Sequence, residues 1–138
     1  MVKTEHINVS SEENCDILDI TAQLTDAVRK SHLMAGTVTI FCPGSTGGLT
    51  TIEYESGVIT DLERVFEDLA PVDGDYRHHL RWGDDNGSAH VRAALVGPSI
   101  TVPIVDGKLT LGTWQQVVFI NFDTRPRLRQ LVVQIMGE

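Results

Sequence analysis

The segment GPSITVPIVDGKLTLGTWQ, residues 97–115, decides the fold. Apolar residues alternate along it with the period of a strand that buries one face: Ile100, Val102 and Ile104, then Leu109 and Leu111. Between the two groups, Asp106 and Gly107 suit the positive φ angles of a two-residue hairpin turn. The segment therefore predicts an antiparallel hairpin.

Similar patterns extend the hairpin into a sheet. Further strands are predicted over residues 3–9, 37–42, 49–54, 117–122 and 128–136. Because the last strands follow one another without an intervening helix, the sheet is expected to be largely antiparallel. Residues 1–138 are therefore expected to form a single compact α+β domain with two main helices.

Two apolar stripes at three-to-four-residue spacing predict these helices. The first stripe is Ile17, Ile20, Leu24, Val28 and Leu33, and the second is Ile59, Leu62, Val65, Phe66 and Leu69. Asn14 or Asp16 is expected to cap the first helix, Ser56 or Thr60 the second, and Gly36 to end the first. Residues 89–96 are expected to form a short helix that Gly97 and Pro98 break.

Composition excludes several classes of function. The 138 residues are 41% apolar and 22% charged, with a formal net charge of -8 and a pI near 5.0. Binding of nucleic acid over a broad surface needs clustered Lys and Arg, so no nucleic-acid partner is expected. A signal peptide and an apolar run of ~18 residues are both absent, so the chain is expected to be cytoplasmic, without membrane contact. Cys15 and Cys42 are expected to be free thiols.

The segment YRHHLRWGDDNGSAH, residues 76–90, carries three of the five histidines and is predicted to be a loop up to residue 88. His78 and His90 bracket the polar run 84–86, so the loop can bring imidazoles and carboxylates together as ligands for zinc or another divalent metal. Adjacent side chains of an extended segment point to opposite faces, so only one of His78 and His79 is expected in a site. The alternative, which spacing alone favours, is a solvated acidic loop with structural histidines.

Glu53, Ser45 and Thr46 are further candidates. Glu53 ends a predicted strand, with Glu55 on the same face, and is either a general base or a solvated carboxylate. Ser45 and Thr46 lie in PGSTGG, whose N–H and hydroxyl groups suit a phosphate, although such a segment is more often only a turn. The lysine of a P-loop is missing, which excludes a nucleotide triphosphatase of that type.

Arginines and tryptophans complete the set of candidates. Arg125, Arg127 and Arg129 alternate, so their guanidinium groups project to one side of an extended segment. They suit either bidentate binding of phosphate or carboxylate, or ion pairs at a subunit interface. Trp82 and Trp114 suit stacking on a planar ligand, or packing in a core or interface.

Four segments, in this order, resemble those of the YjbQ-like family of bacterial and archaeal proteins, often labelled secondary thiamine-phosphate synthases. They are YRH at residues 76–78, DNGSAH at 85–90, GKLTLGTWQ at 107–115, and the run from Asp123 through RPRLR. The resemblance covers nearly the whole chain. It identifies the chain as a member of that family.

The resemblance implies a compact α+β subunit of a homotrimer. A pocket near the subunit contacts would be lined by the matching histidines, Glu53 and the Gly-Thr-Trp-Gln region. It also implies zinc or another divalent metal such as magnesium, and an activity that joins a pyrimidine pyrophosphate to a thiazole phosphate, forming thiamine phosphate and releasing pyrophosphate. Many relatives have a histidine where this chain has Gly44, so any role of that imidazole is absent or relocated here.

Residues and resemblance together give a leading hypothesis, a metal-assisted enzyme that acts on a phosphorylated small molecule. His78 and His90 would hold the metal, Asp85 would complete or orient its ligand shell, and Glu53 would move protons. The residues expected to bind the ligand are Ser45, Thr46, Asn86, Thr113, Trp114, Gln115, Arg127 and Arg129. The alternatives are a metal-dependent hydrolase in which Glu53 activates water, and a non-enzymatic trimeric ligand-binding or structural protein.

Overall fold

Strands outnumber helices in this α+β chain, as the sequence predicted. The computed structural model describes residues 1–138, apart from the side chain of Trp82. The described strands are β1 (Val2–Ser11), β2 (Asp16–Asp19), β3 (Ala35–Phe41), β4 (Gly47–Ile52), β5 (Ser99–Val105), β6 (Lys108–Leu109), β7 (Gln116–Asn121) and β8 (Arg127–Gly137). The described helices are α1 (Thr21–Ser31), α2 (Ser56–Leu69), α3 (Arg77–Trp82) and α4 (Gly87–Val96).

Two antiparallel sheets stack on each other. Sheet A has the strand order β1-β8-β3-β5-β6, and sheet B has the order β2-β7-β4. The first core lies between the sheets and includes α1; its members include Ile40, Val133, Leu24, Leu49 and Phe119. The second core joins the other face of sheet B to α2 and α4; its members include Ile120, Phe122, Phe66, Ala89 and Ala93. Sheet B is therefore the middle layer.

The central strand β7 is buried on both faces. Val117 and Phe119 enter the first core, whereas Val118 and Ile120 enter the second. Side chains alternate across a strand, so a strand with a core on each side has to be apolar at consecutive positions. This explains why the run VVFI shows no polar alternation.

The predicted hairpin is present. Asp106 and Gly107 have φ angles of 52° and 74°, and Ile104 pairs with Leu109 across the turn. The return strand β6 has only two residues, so it is shorter than the alternation through Leu111 predicted.

The first helix starts later than its apolar stripe predicted. Ile17 lies in β2 and enters the second core, whereas Ile20 enters the first. The N-cap is Ile20, without a side-chain hydrogen bond, and Asp16 instead accepts a hydrogen bond from the Glu12 N–H at 2.7 Å. The helix ends at Ser31, and His32 caps it in the left-handed conformation with φ 60°, before Gly36 is reached.

The segment predicted to be a loop around residues 76–88 contains α3 and the start of α4. Gly83, with φ 66°, ends α3. The short helix predicted over residues 89–96 is present, starts at Gly87 and ends before Gly97. Within the described part of the chain, no helix has the length and apolarity needed to cross a bilayer.

Cys15 and Cys42 are free and buried, as predicted. Burial raises the pKa of the Cys15 thiol to about 12 and also raises the pKa of Cys42. Because the thiolate is the reactive form, both side chains are inert core residues in the folded chain.

Candidate functional site

Three loops meet at one end of sheet B. Gly47 at the start of β4 pairs with Asn121 at the end of β7, so the loop before β4 lies beside the loop after β7. The Phe122 N–H donates to the Thr46 carbonyl at 2.9 Å and fixes this contact. Helix α4 packs on β4 and brings the preceding residues, 83–86, to the same end.

His78 and His90 lie side by side at this end. Their ring centroids are 4.5 Å apart and their planes are at 62°, so the convergence that the sequence predicted is present. Nδ1 of His90 is 3.1 Å from the carbonyl oxygen of Ser45. A carbonyl oxygen only accepts, so Nδ1 carries the proton, and Nε2 of the neutral ring presents a lone pair. We call these two residues the histidine pair.

Asp84 orients His78. Nε2 of His78 is 3.0 and 3.1 Å from the two carboxylate oxygens of Asp84. The backbone N–H of Asn86, and then the bond with His78, hold the pKa of the Asp84 carboxyl below its ordinary value. The carboxylate is therefore ionised at neutral pH and accepts the Nε2 proton. Asp85, the residue predicted for this role, instead accepts a hydrogen bond from Thr124 Oγ1 at 2.9 Å.

His79 has a different role from its neighbour. Its Nε2 accepts from the Gly87 N–H at 3.0 Å, and its ring meets the Tyr76 ring edge to face at 5.4 Å. The first N–H groups of a helix have no partner within the helix, so His79 satisfies one at the start of α4. A Cβ at Gly87 would lie 2.5 Å from the Tyr76 side chain, which explains the glycine.

A buried carboxylate, Asp123, lies beside Asn86 and Thr46 and is 2% exposed. It accepts four hydrogen bonds, from Arg127 Nε at 3.0 Å, Arg125 N at 3.0 Å, Thr46 Oγ1 at 3.1 Å and Asn86 Nδ2 at 3.4 Å. Burial acts to raise the pKa of this carboxyl, but the donors, led by Arg127, together lower it below its ordinary value. We call the group Thr46, Asn86, Asp123, Arg127 and Arg129 the polar centre.

Arg129 is held in the polar centre by one end of its guanidinium group. Its Nη2 donates to Thr46 Oγ1 and to Asn121 Oδ1, both at 2.7 Å. Its Nε is buried and has no hydrogen-bond partner among the described residues. Burial lowers the pKa of Arg129, but a guanidinium group keeps its charge at neutral pH. Arg127 and Arg129 thus project to one side of β8, as their alternation predicted.

Gly44 leaves space beside Arg129. A Cβ at this position would lie 3.2 Å from Nη1 of Arg129, and Gly44 has a φ of 112°. Residues with side chains rarely adopt this φ. A histidine at position 44 would therefore require a different loop backbone, and in this chain no side chain at position 44 crowds the guanidinium.

The side chains around the histidine pair are of the types that bind a metal ion, but there are too few of them to complete a site. Both imidazoles have one nitrogen held by an oxygen acceptor, which is usual for metal-ligating histidine. Among the described residues, no three His, Cys, Asp or Glu side chains are grouped so that they could hold a metal ion. Zinc takes three or four protein ligands, so the described side chains of the chain do not complete such a site.

Glu53 and the 112–115 loop lie at the other end of β4. Glu53 directly follows this strand and is exposed, whereas Thr46 directly precedes it. Gln115 Nε2 donates to Thr51 Oγ1 at 3.0 Å. The six residues of β4 span ~20 Å, so these residues do not meet the polar centre within one chain.

A cavity of about 550 Å³ adjoins this loop. Val28, Leu109 and Leu111 line it together with Thr113 and Gln115. Its volume suits a small molecule. Trp114 is 73% exposed, and the predicted stacking role of the Trp82 side chain lies outside the described residues.

Sequence reasoning assigned no role to Asn121 and Asp123. Asn121 is fully buried, and its Nδ2 donates to the carbonyl oxygens of Glu12 and Arg125 at 2.8 and 3.2 Å. Both residues come at the end of an apolar run that is buried on both faces. Buried polar groups need hydrogen-bond partners. A polar residue at the end of such a run therefore indicates a buried hydrogen-bonded group, and this was the signal in the sequence that could have identified Asn121 and Asp123.

Two stacked antiparallel sheets with α2 and α4 on the other face of sheet B, and a histidine pair beside an arginine-rich centre at one end, define a class of small α+β proteins. A family model described as UPF0047 protein YjbQ-like matches residues 5–138. The chain belongs to this family, which confirms the resemblance seen in its sequence.

Relatives match along nearly their whole length. The UPF0047 protein of Methanothermobacter thermautotrophicus is 33% identical over 137 residues, covering 99% of this chain and 94% of the relative. YugU, a UPF0047 protein of Bacillus subtilis, is 31% identical over 138 residues, covering 99% of this chain and 100% of the relative. The crystal structure of a YbjQ-like protein of unknown function from Sulfolobus solfataricus has a TM-score of 0.95 at 31% identity and covers 100% of this chain and 99% of that chain. This similarity confirms the α+β fold class.

Proposed function

We propose that the chain is the subunit of a small enzyme that acts on a phosphorylated small molecule. The observation that carries the proposal is the histidine pair, 4.5 Å from ring to ring, at the loop end where Arg127 and Arg129 supply positive charge. Guanidinium and hydroxyl groups bind phosphate, and imidazole is a common ligand of divalent metals. The specific reaction proposed is the joining of a pyrimidine pyrophosphate to a thiazole phosphate, which forms thiamine phosphate and releases pyrophosphate.

Arg129 is the residue proposed to bind a phosphate group. Arg127 already donates to the Asp123 carboxylate, whereas Nη1 of Arg129 lies beside Gly44, which has no side chain to cover it. Thr46 holds the guanidinium group in place. The exposed Ser45 and the N–H groups of its loop would add hydrogen bonds to the phosphate oxygens.

His90 is proposed to hold a metal through Nε2, because the hydrogen bond from Nδ1 to the Ser45 carbonyl leaves the lone pair on that atom. Asp84 fixes the ring of His78 beside it in the same way. A divalent metal such as zinc or magnesium, bound by this pair with ligand oxygens, would offset negative charge on the departing pyrophosphate. A cytoplasmic setting is part of the proposal, and the two free thiols support it.

A homotrimer is also part of the proposal. One chain separates Glu53 and the 112–115 loop from the polar centre, so a neighbouring copy would have to bring them together. Thr113, Trp114 and Gln115 would then hold the second substrate in the adjoining cavity, with Glu53 as the base.

The test is an activity assay with matched histidine variants. His78→Ala and His90→Ala are expected to lower thiamine phosphate formation by about 100-fold or more, whereas His6→Ala, at an exposed strand position, should leave it unchanged. Elemental analysis of the same preparations shows whether metal is lost with activity. Equal activity in all three variants would refute the proposal. Unfolding or dissociation of the histidine-pair variants without loss of metal would indicate a structural role.

Complementation tests the shared site. Glu53→Gln and His90→Ala proteins are each expected to be inactive, and mixing them after mild unfolding and refolding should restore a measurable part of the activity. No recovery in mixed oligomers would show that the two residues do not act across a subunit contact. Phosphate release without the thiazole substrate would instead indicate a hydrolase.

A further inference from the structure

The cavity beside the 112–115 loop is built by one helix and one hairpin. Thr21, Thr25, Val28 and Arg29 of α1 line one side of it, because residues three and four apart share a face of a helix. Residues 107–112, which contain β6, line the opposite side. The volume of about 550 Å³ lies within the range of small-molecule sites, about 300–1,000 Å³. One chain therefore supplies a complete cavity for a small ligand.

The charged side chains of this cavity are basic, although the chain is acidic. The chain has 19 acidic and 11 basic residues and a net charge of -8, but the charged residues among the described lining are Arg29 and Lys108. Asp26, outside the lining, forms salt bridges with both Arg29 and Lys30, at 2.6 and 2.7 Å. One carboxylate thus faces two cations, and this group keeps a positive charge. The cavity therefore favours an anionic ligand.

The polar groups that the cavity leaves without partners are hydrogen-bond donors. The side-chain oxygens of Gln115 and Gln116 each accept a backbone N–H, at 3.0 and 2.8 Å. By contrast, Nζ of Lys108, Nε2 of Gln116 and the hydroxyl of Thr25 make no hydrogen bond with the described residues. A ligand at these groups has to bring acceptor oxygens.

The rest of the cavity is apolar. Val28 belongs to the first core, and Leu109 and Leu111 pack against that core while remaining partly exposed. An apolar ring that covers the two leucines removes their surface from water, which favours binding. Two cations on separate elements, Lys108 on β6 and Arg29 on α1, suit a doubly charged group better than a single carboxylate. The ligand indicated is a ring compound with one phosphate group.

We propose that the cavity binds a monophosphorylated ring compound, whose ring covers Leu109 and Leu111 and whose phosphate is bound by Lys108 and Arg29. This inference rests on the proposed function for one point only, the identification of the compound with thiazole phosphate. The polar centre lies at the other end of β4, which is ~20 Å long. The chain then has a separate anion site for each of two phosphorylated substrates.

The test is isothermal titration calorimetry with phenyl phosphate, thiazole phosphate, benzoate and inorganic phosphate, in about 50 mM salt, where screening is weak. Each ring phosphate is expected to bind at least about 10-fold more tightly than benzoate or inorganic phosphate, because only it fills both parts of the cavity. No pyrimidine pyrophosphate is added, so binding is measured apart from turnover.

Lys108→Gln and Arg29→Gln are each expected to weaken the binding of ring phosphates by about 10-fold, the loss of one charge-assisted hydrogen bond. The matched control is Arg64→Gln, which removes another exposed helical arginine paired with aspartate and should not change the affinity. Thr25→Trp, at an exposed position of α1, should abolish binding by filling the cavity. It decides the question if circular dichroism shows that a charge variant is unfolded.

The outcomes for the cavity and for the proposed reaction are separate. Wild type that binds phenyl phosphate but not thiazole phosphate, with the affinity lost in Lys108→Gln, would support the cavity site and count against the thiamine phosphate reaction. Ring phosphates that do not bind wild type, that bind no better than inorganic phosphate, or that bind the Lys108, Arg29 and Thr25 variants as well as wild type would overturn the site. Normal formation of thiamine phosphate by the same variants would then leave the proposed function standing.

Discussion

Asp123 is a charge in a nearly water-free position, and its neighbours explain why the fold tolerates it. An unpaired buried carboxylate is costly, but four donors surround this one and Arg127 matches its charge. The same hydrogen bonds tie three separate loops together. Loss of the carboxylate therefore affects stability as well as the arrangement of the polar centre.

Asp123→Asn is expected to lower the free energy of unfolding by about 2–4 kcal/mol near pH 7, because an amide leaves Arg127 unpaired. Folding lowers the pKa of this carboxyl, so the unfolded chain binds its proton first as the pH falls. The stabilisation is complete above the unfolded pKa of about 3.9 and is lost as the pH falls through the folded pKa. Urea unfolding at a series of pH values should show the difference between wild type and variant shrinking below about pH 4. A difference that stays constant down to low pH would contradict this.

Gly44→Ala is expected to destabilise the fold by about 1–2 kcal/mol, because alanine is strained at φ 112° and its Cβ would press on Arg129. Gly112→Ala is the control, since the nearest neighbour of its Cβ would be 3.7 Å away. Urea unfolding of both variants gives the comparison. Equal losses would show that the Gly44 conformation is not required.

The sequence identified the residue types at this end of the chain but not all of their partners. The convergence of His78 and His90 was predicted because the intervening glycines permit sharp turns. The choice of Asp84 over Asp85 depends on α3, whose six residues carry too short a pattern to predict.

At the scale of elements, α2 begins with a cap that its sequence pattern did not suggest. Glu55 accepts hydrogen bonds from the Gly57 and Val58 N–H groups at 2.8 and 2.9 Å. Ser56 and Thr60, the predicted caps, lie within the helix. A carboxylate at this end also interacts favourably with the helix dipole.

Glu55→Ala is therefore expected to cost about 1 kcal/mol of stability, whereas Ser56→Ala should change it by less than about 0.5 kcal/mol. Thermal and urea unfolding of the two variants measure this directly. A larger loss of stability for Ser56→Ala than for Glu55→Ala would show that Ser56, the residue predicted from the sequence, caps the helix.

Elements whose signal is local were predictable, and those that depend on distant partners were not. The Asp106-Gly107 turn fixes its hairpin within a few residues. The boundary between β2 and α1 is different, because Ile17 and Ile20 look like one helical stripe and yet enter two cores. Only the position of sheet B between those cores separates them.

At the scale of the whole molecule, β7 is the most protected element. It pairs with β2 on one side and β4 on the other, and a core covers each face. Strand β1, by contrast, forms an edge of sheet A and pairs only with β8 among the described strands.

Backbone amides of β7 are therefore expected to exchange with solvent only on global unfolding, and those of β1 at lower free energies of opening. Hydrogen exchange followed by NMR or mass spectrometry tests this order. Slower exchange in β1 than in β7 would contradict the layered arrangement. The separation of Glu53 from the histidine pair also belongs to this scale, since only the direction of β4 in the folded chain reveals it.

Because β7 is buried on both faces, its consecutive positions differ in which substitutions they tolerate. A change of volume at Phe119 has to be absorbed by the first core, and one at Val118 by residues around α2 and α4. Consecutive codons of β7 are therefore under separate constraints. A substitution that compensates for a change at one of them is expected in the core that its side chain enters, not at the adjacent position of the strand.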